Sequence, residues 1–91
     1  MSDQSRIVVA KEQISCDLSG EAAILNLKNG VYYGLDPVGA RVWNLIRQPK
    51  SFAELREALV AEFEVEPERL EADLHDLIAK LGDQGLVEVS P

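Results

Sequence analysis

One cysteine, Cys16, and one histidine, His75, are the only side chains in this 91-residue chain that could pair a strong nucleophile with an imidazole base. Covalent catalysis by such a pair needs the two within hydrogen-bond reach and a third group orienting the imidazole. Cys16 sits inside the apolar-tending run QISCDL, where a free cysteine is expected to be a small buried hydrophobe. His75 lies between Leu74 and Asp76, one residue off an apolar stripe, the place of a solvated rim side chain. Glu71 and His75 are spaced i, i+4 with Asp76 adjoining, a pair that grips a metal only weakly. A structural zinc site needs more cysteine and histidine than one of each. The six glycines show neither GxGxxG nor P-loop spacing. A chain this small also leaves little room for an enzyme-sized pocket. The expectation is therefore no catalytic residue, no metal site and no cofactor.

Charge narrows the partners. The net charge is −7, and it is unevenly spread: residues 1–50 hold six Lys/Arg and five Asp/Glu, residues 51–91 three and eleven. An acidic surface repels phosphate backbones and attracts basic ligands. Apolar runs are too short to cross a bilayer, and no basic segment followed by an apolar one marks a signal peptide. With a single cysteine there is no internal disulfide, which fits a cytoplasmic protein. Neither nucleic acid nor membrane is an expected partner.

Whatever the chain does must then rest on how its elements are placed. Length and composition predict one domain over residues 1–91, with 1–5 frayed. RIVV (6–9) reads as a short leading strand, and QISCDL (13–18) as a strand ending at a Ser19-Gly20 turn. AAILNL (22–27) and VYYGL (31–35) are joined by Asn29-Gly30, a strong hairpin signal because both residues tolerate positive φ. These last three runs predict an antiparallel meander. Asp36 is a helix N-cap and Pro37 a first helical residue. Val38, Val42, Leu45 and Ile46 form that helix's stripe, which Pro49 stops. Ser51 and Glu54 make a capping box, opening a helix that buries Phe52, Leu55, Leu59 and Phe63. Pro67 begins a third helix with Leu70, Leu74, Leu77, Ile78 and Leu81 on one face. Gly82 or Gly85 ends it, and Leu86 to Val89 tucks back onto the core. Strands followed by helices mean α+β, here a three-stranded sheet followed by three helices in a winged helix-turn-helix-like outline. DNA binding does not follow from that outline. The third helix and its flank carry Glu66, Glu68, Glu71, Asp73 and Asp76 against Arg69 and Lys80, the wrong sign for phosphates.

The open question is the 31–35 strand. In a meander it pairs on one side only, and VYYGL lacks the lysine or proline that natural edges use as protection. Alternation puts Val31, Tyr33 and Leu35 on the helix-facing side, with Tyr32 and Gly34 opposite. An extended peptide could add to this edge as a further strand and fill the gap against a helix. Equally, the chain's own N-terminus or a dimer partner could cover it.

The runs GVYYGLDPVGARVW (30–43), DLHDLIAKL (73–81) and Gly85-Leu86-Val87 resemble the PqqD-like family, the precursor-peptide recognition elements of ribosomally made, modified peptides. The match extends over about residues 13–89, and the stand-alone length is most similar to the B1 proteins of lasso-peptide pathways. The resemblance implies three strands and three helices that bind the leader segment of a precursor. It implies an edge made by Val31, Tyr32, Tyr33, Gly34 and Leu35, and a groove lined by Leu70, Leu74 and Leu77 with Leu81 at its far end. Asp73 and Asp76 would hold basic or hydroxyl groups of the leader, whose tyrosine and proline would fill the apolar gap. Trp43 would be structural. Implied partners are a B2 leader peptidase, a cysteine protease similar to transglutaminases, and an ATP-dependent lasso cyclase. The alternative is a PqqD-like peptide chaperone serving a radical-SAM modifying enzyme.

Overall fold

The computed structural model describes residues 2–18 and 21–90. Its strands are β1 (Arg6–Val9), β2 (Gln13–Leu18), β3 (Glu21–Asn26), β4 (Tyr32–Leu35), β5 (Lys50–Ser51) and β6 (Val87–Ser90). The helices are α1 (Pro37–Leu45), α2 (Phe52–Phe63) and α3 (Pro67–Asp83). The expected meander is present as an antiparallel sheet in the order β2-β3-β4. The Ser19-Gly20 turn lies outside the described residues. A second three-stranded sheet, β5-β1-β6, joins the two ends of the chain. RIVV belongs there, with Ile7 opposite Val89 and Val9 opposite Val87. The tail read as tucking onto the core is thus a strand. The α+β class and the winged helix-turn-helix-like order hold, with this sheet added.

Local chemistry sets the element ends. Asp36 Oδ1 accepts from the Gly39 N–H at 2.7 Å, capping α1 ahead of Pro37. At α2, Ser51 Oγ accepts from Glu54 N–H at 3.1 Å while Glu54 accepts from Ser51 N–H at 2.9 Å, the reciprocal capping box. Glu64 ends α2 at φ 50°, a left-handed conformation unusual for a glutamate. The β3–β4 loop differs from the two-residue turn expected: Leu27 to Val31 form it, only Gly30 among them has positive φ, and Gly30 N–H donates to the Asn26 carbonyl.

Residues 2–5, expected to fray, are held. Ser5 is buried. The Ser5 and Asp3 carbonyls accept from Phe52 and Ala53, two of the unpaired N–H groups that open α2. Arg56 grips Asp3 at 2.8 Å and reaches Glu71 of α3 at 3.5 Å. Hydrogen bonds from Arg56 hold the Asp3 carboxyl below its ordinary value, those from Ser51 lower Glu54, and those from Arg41 lower Glu62. A carboxylate with a depressed folded pKa contributes stability above its unfolded pKa and loses it as pH falls through the folded value. Urea midpoints should therefore hold from pH 7 to 6, fall below about pH 4, and fall less steeply in Glu54→Gln.

The core centres on Trp43, Phe52, Ile24, Ile46, Leu55, Leu59 and Ile78, all essentially inaccessible. His75 packs edge-on against Phe52, ring centroids 6.2 Å apart. Asn26 is the polar residue that ties the sheet to the helices. Buried, it donates from Nδ2 to the Gln84 carbonyl at 2.7 Å and accepts at Oδ1 from Lys28 N–H at 2.9 Å. It thereby meets the end of α3, where Gly85 turns the chain at φ 72°. Asn26→Leu removes both of these hydrogen bonds and should cost about 2 kcal/mol, read from chemical denaturation.

Candidate peptide-binding site

The β4 edge is free: β3 pairs with it on one side, and no strand among the described residues pairs on the other. Its hydrogen-bond phase follows from one bond. Asn26 N–H donates to the Val31 carbonyl, so position 31 faces β3, and along an antiparallel ladder positions 33 and 35 do too. Tyr33 sits opposite Ile24 and Leu35 opposite Ala22. Tyr32 and Gly34 therefore turn their N–H and C=O groups outward. Side chains run the other way, with Leu35 buried, Tyr33 half-buried and Tyr32 70% exposed. Val31 departs from expectation. It lies before the strand and is half exposed, because the loop ends there rather than at residue 30.

Beside this edge, where β4 passes into α1, a cleft of about 580 Å³ opens between the three helices. Val42, Leu59 and Leu74 form its floor, and Leu70 and Leu77 of α3 one wall. Gly39 belongs to the opposite wall, where a Cβ would come within 3.1 Å of Leu35 and 3.3 Å of the Asp36 carboxylate. A side chain there would press on the cap and narrow the cleft.

Three apolar residues stand at the mouth half exposed: Val38, Phe63 and Val65. Val38 and Phe63 were expected to be buried by their helical stripes. They are instead left partly open, lining the cleft between the helices. Asp36, Glu66, Asp73 and Arg69 form a mixed, mainly acidic rim.

Of the α3 residues expected at the site, the structure brings Leu70, Asp73, Leu74 and Leu77 to the cleft. It leaves two out. Asp76 is exposed and about 60° further round α3 than Asp73, since each residue turns the helix by about 100°. Leu81 is wholly buried two turns below, where α3 packs toward β6. Cys16 also corrects the reading: it is exposed, on the face of β2 that points away from the helices. Val38, Phe63 and Val65 were missed as lining residues. For Val38 and Phe63 the only signal was an apolar helical stripe, and Val65, in the α2–α3 connection, carried none.

The PqqD family profile, described as coenzyme PQQ synthesis protein D, matches residues 21–87. The chain belongs to the PqqD family. Two solved structures resemble nearly the whole fold. One is TbiB1 in complex with the TbiA(beta) leader peptide, 33% identical, with a TM-score of 0.84 over 89% of this chain and 94% of that one. The other is a lasso peptide synthetase B1 complexed with the leader peptide, 22% identical, with a TM-score of 0.79 over 90% and 96%, a likeness of fold. No curated protein matches this PqqD-family chain.

Proposed function

We propose that this protein captures the leader segment of a ribosomally made precursor peptide, which adds as a strand to β4 and sends apolar side chains into the cleft against α3. The observation that carries this reading is the coincidence of an unprotected edge with an unfilled apolar cleft. The outward groups of Tyr32 and Gly34 offer up to four main-chain hydrogen bonds. The half-exposed Val38, Phe63 and Val65, with Leu77, offer apolar area to a ligand. The 33% identical TbiB1, solved with a leader peptide, supports the ligand class. Asp73, on the cleft rim, accepts a charge-assisted hydrogen bond from a basic or hydroxyl group of the leader.

In this role the protein is non-catalytic. It presents the precursor in trans to a leader peptidase of the B2 type and then to a lasso cyclase. Titrating the protein with a synthetic leader from the precursor encoded beside it should give saturable 1:1 binding, measured by calorimetry. Absence of binding at 100-fold the protein concentration would contradict it.

A further inference from the structure

The residues lining the cleft include one cation, Arg69, and the fold makes no use of its charge. Each helix carries a single arginine. Arg41 of α1 is held by Glu62 at 2.7 Å, and Arg56 of α2 takes Asp3 at 2.8 Å and Glu71 at 3.5 Å. Arg69 of α3 is exposed and lines the cleft instead. Glu66 and Asp73, three residues before it and four after, are spaced for pairing along the helix. It pairs with neither, nor with any other carboxylate among the described residues. The helix gains nothing from a cation here either, because Arg69 stands in the first turn of α3, where the helix dipole disfavours positive charge. Its donors are left at the mouth of an apolar cleft.

We propose that Arg69 reads an acidic side chain of the captured peptide, so that the leader carries an aspartate or glutamate beside the apolar residues that enter the cleft. The proposal rests on the capture reading above. A guanidinium presents its donors in a planar fork that matches a carboxylate and holds it by two hydrogen bonds. Val65 and Leu70, which line the same cleft, keep water from part of such a pair and strengthen it relative to one on open surface.

The neighbouring acids sharpen the choice. The Asp36 carboxylate is already occupied by the Gly39 N–H at 2.7 Å. Asp73 stands one turn from Arg69, about 6 Å along the helix axis. Alternate residues of an extended strand are about 6.6 Å apart. A peptide strand lying along α3 can therefore set an acid against Arg69 and a basic or hydroxyl group against Asp73 two residues away. The reverse order brings like charges together at both positions. Selection of this kind comes from repulsion as much as from attraction.

Arg69→Gln and Arg69→Glu test this in the full chain by calorimetry. The probes are a synthetic leader from the precursor encoded beside it, and leaders in which each Asp or Glu is replaced singly by its amide. Arg69→Gln should weaken binding about fivefold and Arg69→Glu about tenfold or more, with no lowering of the melting midpoint. One amide leader should lose about the same fivefold against the unsubstituted protein and nothing further against Arg69→Gln. Lysine at that leader position should bind Arg69→Glu more tightly than the parent leader does. Unchanged affinity in Arg69→Glu overturns the assignment and leaves capture standing. Amide leaders whose losses are the same against Arg69→Gln as against the unsubstituted protein overturn it equally. An unsubstituted chain that binds no leader removes the capture reading, and this inference with it.

Discussion

Leu77→Glu should lower leader affinity by about 100-fold, while the protein should still unfold cooperatively within a few degrees of its original midpoint. The size follows from a charge set in a desolvated apolar contact at the centre of a small interface, about 2–3 kcal/mol. Leu77 is suited to the test because it is only half-buried, packed at the margin of the core and on the cleft wall. Leu74 is not. It also lines the cleft but is 2% exposed, so Leu74→Ala should cost about 2–5 kcal/mol of stability, and a charge there more. Binding by calorimetry and unfolding by circular dichroism separate the two. If Leu77→Glu binds leader as tightly as the unsubstituted chain, the cleft is not where leader side chains go.

Proline at the edge gives the second large effect, and here the prediction turns on phase. The Gly34 N–H faces away from β3, so Gly34→Pro removes no bond from the β3–β4 ladder. Its backbone is not in the left-handed region, and the space beside it is open. Edge positions of this kind tolerate proline. The substitution deletes one donor offered to the leader and puts a ring in its path, which should weaken binding about 30-fold or more. Tyr33→Pro, one residue away, removes a donor to Ile24 and crowds the ladder, and should destabilise the fold by about 3 kcal/mol. Leader binding retained in Gly34→Pro would exclude strand addition here, as would equal stability of the two proline variants.

Much of this was legible in the sequence because it is written locally. The Asp36-Pro37 and Ser51-Glu54 starts, the β2-β3-β4 meander and the apolar stripe of α3 each depend on residues a few positions apart. The second sheet was not legible, since β1 and β6 pair residues from opposite ends and each is four residues long. Neither carries a turn signal pointing to the other. Burial of Val38 and Phe63 failed for a related reason. A helical stripe says which face is apolar and leaves open whether a neighbour covers all of it. Cys16 misled because strand alternation in QISCDL is imperfect, with Ile14 and Cys16 falling on the uncovered face. At the edge, residue types alone suggested all of 31–35, whereas the ladder's phase turns the main-chain groups of only Tyr32 and Gly34 outward.

Amide hydrogen exchange resolved to single residues tests strand addition most directly. In the free protein Tyr33 and Leu35, bonded to β3, should exchange slowly, and Tyr32 and Gly34 quickly. Saturating leader should slow Tyr32 and Gly34 by 10-fold or more, with little change at Tyr33. If Tyr32 and Gly34 exchange as fast with leader bound as without it, no peptide strand joins β4.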